Sequence, residues 1–400
     1  MSRILFLLTQ DLESPSGVGR YYPMARELAR NGHQVFIAAL HPDYDCLPQR
    51  HLERDNIRIH YVAPMHVRKR GSQKEYYSSF QLIFKAIWST LRLTWEVLNT
   101  PADVLLVGKP HPMNSIPGLV GKVLLKRRII LDCDDDEVAS NRFTSPWQRR
   151  VIRYFQETVP HWSDLTITNT HYMREKLIAY GVSEDRICYI PNGVDPERFP
   201  NIGKDEIEAE KHRLKLDGLK IVAYIGSMSL TNHAVDLLVE AFAQVHTEIP
   251  QTALILVGGG EDLERIKAMV VEKGLADAVR FLGRVPPEKV NLYYRMADVS
   301  VDPVYDNDAA RGRSPLKMFE SWVTGVPFVT ADVGDRRILA GENPAARIVQ
   351  SDCPGLLARE IVMVLSDEFL RRSLVTLGGS RVKEFHWGNL ASLLPNMILR

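Results

Sequence analysis

The feature that most constrains this chain is a rhythm set within its first forty residues. Residues 3–9 are a compact apolar run, residues 22–30 repeat apolar side chains at helical spacing, and Gly32 ends that helix before a second apolar run at 34–39. Two short apolar runs joined through a helix pair as parallel strands, since a parallel connection needs a crossover. The rhythm returns, with strands expected at 57–62, 102–107, 129–131, 164–169 and 187–190, then at 221–225, 252–257, 279–283, 298–303 and 327–329. The class is therefore α/β. A chain of 400 residues outgrows one core and divides into domains. The break falls at Pro191-Asn192-Gly193-Val194-Asp195-Pro196, a turn-rich run that suits a hinge. We expect one domain at 1–198, a second at 199–378 and a last helix at 379–400 that returns to the first. Residues 203–216 read as a polar connector.

Open α/β sheets bind ligands beyond the carboxyl ends of their strands, so the loops there carry the functional reading. After the first strand comes Gly17-Val18-Gly19, which lacks the third glycine of a dinucleotide fingerprint and argues against a nicotinamide-dependent oxidoreductase. After the strand at 129–131 comes Asp132-Cys133-Asp134-Asp135-Asp136-Glu137. Five carboxylates so close need counter-charge, from a divalent metal or from cations. Arg142, Arg149 and Arg150 are expected to supply it, and no metal is expected.

The stretch 311–330 breaks a local rule. Ser314 suits an N-cap and Pro315 the first helical position, Leu316, Phe319 and Val323 give the apolar face, and Gly325 closes the helix. A helix N-terminus favours anions, yet Arg311, Arg313 and Lys317 lead into this one with no acid. Backbone N–H groups with arginine and lysine make a phosphate site. The plainer alternative is a surface pair between Lys317 and Glu320, one turn apart.

Composition excludes more than it assigns. Net charge is +1, so no nucleic-acid partner is expected. Cys46, Cys133, Cys188 and Cys353 form no metal or disulfide pattern and suit a reducing compartment. The N-terminus reads as a strand rather than a signal peptide, and no apolar run is long enough to span a bilayer; a cytoplasmic location is expected. Residues 68–98 join a basic run to a long helix with Trp88, Leu91 and Trp95 on one face. That face is either core or a peripheral contact with the inner face of a membrane.

Several phrases together resemble the retaining group 1, family 4 glycosyltransferases of the GT-B fold, in which two Rossmann-like domains face each other across a cleft. They are Gly32-His33-Gln34-Val35, Ile190-Pro191-Asn192-Gly193-Val194-Asp195 with Phe199, Val257-Gly258-Gly259-Gly260, Phe281-Leu282-Gly283-Arg284-Val285-Pro286, Tyr294 with Ala297-Asp298-Val299, and Pro315-Leu316-Lys317 with Glu320 and Gly325-Val326-Pro327-Phe328-Val329. The resemblance implies a hexosyltransferase that uses a nucleotide-diphosphate sugar as co-substrate, binds no tight cofactor and serves cell-surface glycan or glycolipid synthesis. It implies a donor site built from Gly17, Gly19, Gly226, Ser227, Gly258, Arg284, Val285, Arg311, Arg313, Ser314, Pro315 and Leu316, with Lys317 on the diphosphate and Glu320 on the ribose. Asp134 stands where many members carry a histidine near the reacting sugar, so Asp134, Lys317 and Glu320 are the catalytic candidates and His111 joins Asp134 on the acceptor side. The acceptor, whether glycan, lipid-linked sugar or small molecule, is left open. The domains are expected to close about Asn192-Gly193 when donor binds. Two departures matter. Gly312 replaces the first glutamate of the family's pair, and Ser227 and Asn232-His233 replace the usual arginine and lysine of the loop after the strand at 221–225. Either Arg311, Arg313 and Lys317 compensate, or the chain is a weakened scaffold or partner subunit.

Overall fold

The computed structural model describes residues 1–65, 67–70 and 73–394. The first sheet contains β1 Arg3–Leu8, β2 Gln34–His41, β3 His51–Arg54 and β4 Ile57–Pro64. A separate hairpin, β5 Val67–Arg70 with β6 Gln73–Tyr76, precedes β7 Val104–Gly108, β8 Arg128–Cys133, β9 Leu165–Thr168 and β10 Ile187–Tyr189. The order is β10-β9-β8-β7-β1-β2-β4-β3, parallel except for β3 on β4. The second sheet is wholly parallel. It comprises β11 Lys220–Ile225, β12 Thr252–Val257, β13 Val279–Gly283, β14 Val299–Asp302, β15 Phe328–Ala331 and β16 Arg347–Val349, in the order β13-β12-β11-β14-β15-β16.

Each sheet reverses its order once, between β1 and β7 and between β11 and β14. Beside these points the loops leaving adjacent strands diverge, and the crevice they leave is where such sheets bind ligands. Gly17–Tyr21, a π-helical turn, follows β1, while Lys109 and the acidic run follow β7 and β8. Gly226 follows β11, and the segment leading into the helix Leu316–Val323 follows β14. The central strands of both sheets are buried apolar runs because helices cover both faces, while the edge strand β3 is polar and exposed.

Several elements depart from the sequence reading. Residues 203–216 hold a helix, Lys204–Arg213, none of whose residues is buried. It packs Ile207 on the second domain's core and is further held by Asp205 and Glu206 in its first turn, Lys211, His212 and Arg213 in its last, and Glu208–Lys211 and Glu210–Arg213 pairs. One apolar contact gives no helical repeat to read in the sequence. The helix Pro146–Trp162 and the edge strands β3 and β16 were also unexpected. Ser314 is not the N-cap; Pro315 is, and the helix starts at Leu316. The return of the chain to the first domain is not one helix over 379–400. The helix Glu368–Arg381 leads into a short turn and the helix Trp387–Leu390, and residues 395–400 lie outside the described residues. Trp387 donates its indole N–H to the Gly19 carbonyl at 2.9 Å, and Trp387, Leu390, Ala391 and Leu394 complete the first domain's core.

Candidate functional site

The helix Leu316–Val323 delivers Lys317 to the carboxyl end of β14. Its Nζ lies 2.9 Å from Asp302 Oδ1 and 5.1 Å from the centre of the Tyr224 ring. Arg336, fully buried, holds the other oxygen, Asp302 Oδ2, at 2.9 Å. Arg313 donates to the Asn232 carbonyl at 2.6 Å and lies 3.3 Å from His233 Nδ1, in the loop that lacks its own arginine and lysine. Burial pulls the Lys317 ammonium below its usual pKa; Asp302 opposes this, while Arg313 and Arg336 add to it. Asp302 itself is held well below the carboxylate range, its burial outweighed by Lys317, Arg336 and His233. Two strong cations, Lys317 and Arg336, thus share one carboxylate, with His233 adding to their pull and Arg313 close enough to Lys317 to act on it.

Two glycines keep this corner open. A Cβ on Gly226 would stand 2.6 Å from Lys317 Cε. One on Gly258, whose φ is +132°, would stand 1.9 Å from the Gly226 carbonyl oxygen. Beside them the Ser227 carbonyl accepts from the Tyr224 hydroxyl at 2.6 Å, and Ser227 Oγ is buried without a protein partner.

The surface pair between Lys317 and Glu320 does not form. Their side chains are only 12% and 14% exposed, and each turns to a different partner. Glu320 accepts from the Tyr294 hydroxyl at 3.0 Å and lies 3.7 Å from Arg198, while burial raises its pKa. Asp302, Arg336, Tyr294 and Arg198 were missed in the sequence; Asp302, closing an apolar run at a strand's carboxyl end, gave the best signal.

The remaining predicted residues are more dispersed. Arg311 pairs at the surface with Asp306 at 2.7 Å, so its charge is already matched. Ser314 Oγ accepts from the Asn192 N–H at 3.1 Å, and its carbonyl accepts from the Asn192 side chain at 2.9 Å, which ties the turn at Asn192 to the segment entering the helix. Leu316 packs across the cleft on Gly19, where a Cβ would stand 2.8 Å from its methyl carbons. A Cβ on Gly17 would be 2.3 Å from the Asp11 carbonyl oxygen. Arg284 sits half-buried in reach of Asp11 and Glu261, its pKa lowered by burial against their pull, and Val285 packs on the second domain's core.

Across the cleft the acidic run is balanced, but not by the expected arginines. Arg20 grips Asp132 with two bonds of 2.6 and 2.7 Å, both residues buried. Lys109 Nζ lies 3.1, 2.7 and 2.9 Å from Asp134, Asp135 and Glu137. Lys109 adopts a left-handed backbone, φ +73°, unusual for a residue with a long side chain. Lys176 pairs with Asp136, and His111 Nε2 lies 2.8 Å from Glu137 Oε2. The carboxylates of Asp134, Asp135 and Glu137 are close enough to share an ion, and the Lys109 ammonium bridges all three. Burial nevertheless raises the Asp134 carboxyl to a pKa of about 7. Arg142 leaves this group and reaches the second domain, meeting Asp262 at 2.6 Å and Thr231 Oγ1 at 2.5 Å. Arg149 and Arg150 are exposed. Gly312, at the slot of the family's first glutamate, faces Asp136; a Cβ there would stand 3.1 Å from the Asp136 nitrogen. An acid at this slot would meet an acid from the other domain.

A family model for glycosyl transferases group 1 matches residues 219–367, and one for glycosyltransferase family 4 matches residues 15–198. A D-inositol 3-phosphate glycosyltransferase of Acidothermus cellulolyticus is 30% identical over 60% of this chain, and the match spans 54% of that relative's own length. Among solved structures, sucrose-phosphate synthase from Thermosynechococcus elongatus superposes with a TM-score of 0.78 at 20% identity, covering 99% of this chain and 98% of its own. The Anabaena protein Alr3699/HepE, in complex with UDP and glucose, gives 0.75 at 15% identity with both chains covered fully. With one model on each domain and the GT-B arrangement of two facing sheets throughout, the chain belongs to the group 1, family 4 glycosyltransferases.

Proposed function

We propose that this chain transfers a sugar from a nucleotide-diphosphate donor to an acceptor hydroxyl with retention of configuration. The observation that carries the reading is the excess of cations around Asp302, beside two glycines that leave backbone bare. A diphosphate needs such a corner: positive charge, exposed N–H groups at a helix start and no side chain in the way. As the bond from the sugar to the diphosphate breaks, its electron pair passes to a phosphate oxygen, and Lys317 and Arg313 stabilise the developing charge. Glu320, oriented by Tyr294 and Arg198, would accept from the ribose hydroxyls. The acceptor oxygen attacks from the face the diphosphate leaves and passes its proton to the departing phosphate oxygen, so no side-chain nucleophile is required. Asp134 and His111 would line the acceptor side. The Acidothermus relative is named for an inositol phosphate acceptor, and the Anabaena structure holds UDP and glucose. The first supports a hydroxyl-bearing acceptor and the second a nucleotide donor.

A second reading rests on Asp302. Because it neutralises Lys317, the chain would be a scaffold that holds the fold without the donor. Calorimetric titration with UDP, GDP, ADP and the matching nucleosides decides between them. Binding of at least one diphosphate, tighter than its nucleoside, is expected; no binding across the panel selects the scaffold.

A further inference from the structure

The helix Ser79–Asn99 starts at the carboxyl edge of the first sheet, after the hairpin that follows β4, and runs back along the sheet to β7. One side packs inward through Ser89, Leu93 and Val97, which are buried. The other side is apolar and open. Phe80 is 83% exposed, Phe84 67%, and Leu91 and Trp95 59% each, with Ile87 and Trp88 between them. These six side chains recur at three- and four-residue intervals, so they form one continuous stripe. From Phe80 to Trp95 the stripe is about 22 Å long. Isolated exposed apolar residues need no explanation, but a stripe of this length, rich in phenylalanine and tryptophan, marks an interaction surface. No helix among the described residues is long and apolar enough to cross a membrane.

Charge identifies the partner. The whole chain carries +1, yet between residues 66 and 99 there are six basic residues, Arg68, Lys69, Arg70, Lys74, Lys85 and Arg92, against two acidic ones. A second copy docked on this face through a twofold axis would bring the same positive segment against itself. An anionic bilayer supplies the opposite sign and takes up the apolar stripe in one contact. We infer that this helix is a peripheral docking surface for an anionic lipid bilayer. The start of the helix and the hairpin lie at the sheet's carboxyl edge, which also carries Gly17, Lys109 and Asp134. Docking would therefore hold that edge of the cleft near the lipid headgroups.

The test uses the full chain and sucrose-loaded vesicles of phosphatidylcholine, alone or with about a third phosphatidylglycerol, a content that gives a strongly negative surface. Binding to the mixed vesicles is expected, weakening as salt rises, together with quenching of tryptophan fluorescence by brominated acyl chains. Phe84→Ser, Leu91→Ser and Trp95→Ser combined should bind more than about tenfold more weakly, because the apolar contribution scales with buried area. All three side chains are exposed, so circular dichroism and nucleoside-diphosphate titration should be unchanged, which separates this surface from the donor site. Absence of vesicle binding, or equal binding by the triple variant, would overturn the inference. So would a dimer in light scattering that the triple variant converts to monomer, since the stripe would then be a protein interface.

Discussion

At Lys317 a single ammonium carries most of the donor reading. Its bond to Asp302 shows a lysine already held in place by a partner before any ligand arrives. Lys317→Ala should weaken nucleoside-diphosphate binding by roughly ten- to a hundredfold, the scale of a hydrogen bond to a charged group, and barely change nucleoside binding. Glu320→Gln should weaken both, because ribose is common to them; calorimetry on the two variants checks the split. Asp134 gives a prediction of opposite character. Its carboxyl is raised from 3.8 to about 7 by burial, so between those values the folded chain holds a proton that the unfolded chain has lost. The group therefore costs stability progressively as pH rises through that window, and the cost is constant above it. Asp134→Asn should remove this component; urea midpoints of the two proteins should converge near pH 4 and separate toward pH 7, with the variant more resistant. Equal midpoints at every pH would show Asp134 ionised throughout. The cation excess was legible in the sequence because Arg313 and Lys317 break the helix rule. Asp302 and Arg336 were not, because an acid ending one strand and an arginine 34 positions later meet only after β14 and β15 pair.

Among the elements, the two glycine turns at β11 and β12 separate space from conformation. Gly226→Ala pushes against the far end of Lys317, a flexible side chain that can retreat. The fold should survive within about 1 kcal/mol, the scale of an ordinary surface change, while diphosphate binding falls with the displaced ammonium. Gly258→Ala meets backbone, at a φ that side chains rarely adopt. A loss of about 2 kcal/mol or more is expected, because a strained φ and a clash add. Thermal melts and diphosphate titrations of the pair should rank them oppositely. The strands of both sheets, apart from the edge strands β3 and β16, were legible as apolar runs. The helix Lys204–Arg213 was not, because Ile207 is its main apolar contact with the core and the rest of its support is charge order along the axis. The error at Ser314 has a similar origin. An N-cap serine and a serine bonded to a distant loop look alike in sequence, and only the approach of Asn192 distinguishes them.

For the whole molecule, the two domains are tied at several points around the cleft. Arg142 reaches Asp262 and Thr231; the Asn232 side chain donates to the Ser140 carbonyl at 2.9 Å; His171 and Tyr189 both meet Asp335 at 3.0 Å. Arg142→Ala should loosen this arrangement without disturbing either core, since Arg142 is more than a third exposed. Small-angle scattering should show a larger radius of gyration for the variant, with an unchanged urea transition. Identical scattering would mean that the remaining ties suffice. The two-domain architecture was legible from the Pro191-Asn192-Gly193 turn between two series of strands, but the ties were not, because each joins residues from different series.

The contact between Trp387 and Gly19 has a consequence for how the protein is made. The first domain's last strand ends at Tyr189, yet its core is sealed by residues 387–394. A ribosome adding roughly 5–20 residues per second needs on the order of 10–40 s to cover the intervening stretch. Throughout that interval the nascent first domain lacks the indole that caps its glycine turn, and its core lacks Leu390, Ala391 and Leu394. The second domain, whose core is nearly complete by then, has no such wait. A chain stopped after residue 385 should therefore be cut by protease in its first half before its second, and pulse proteolysis of that truncated chain would show which half is left waiting.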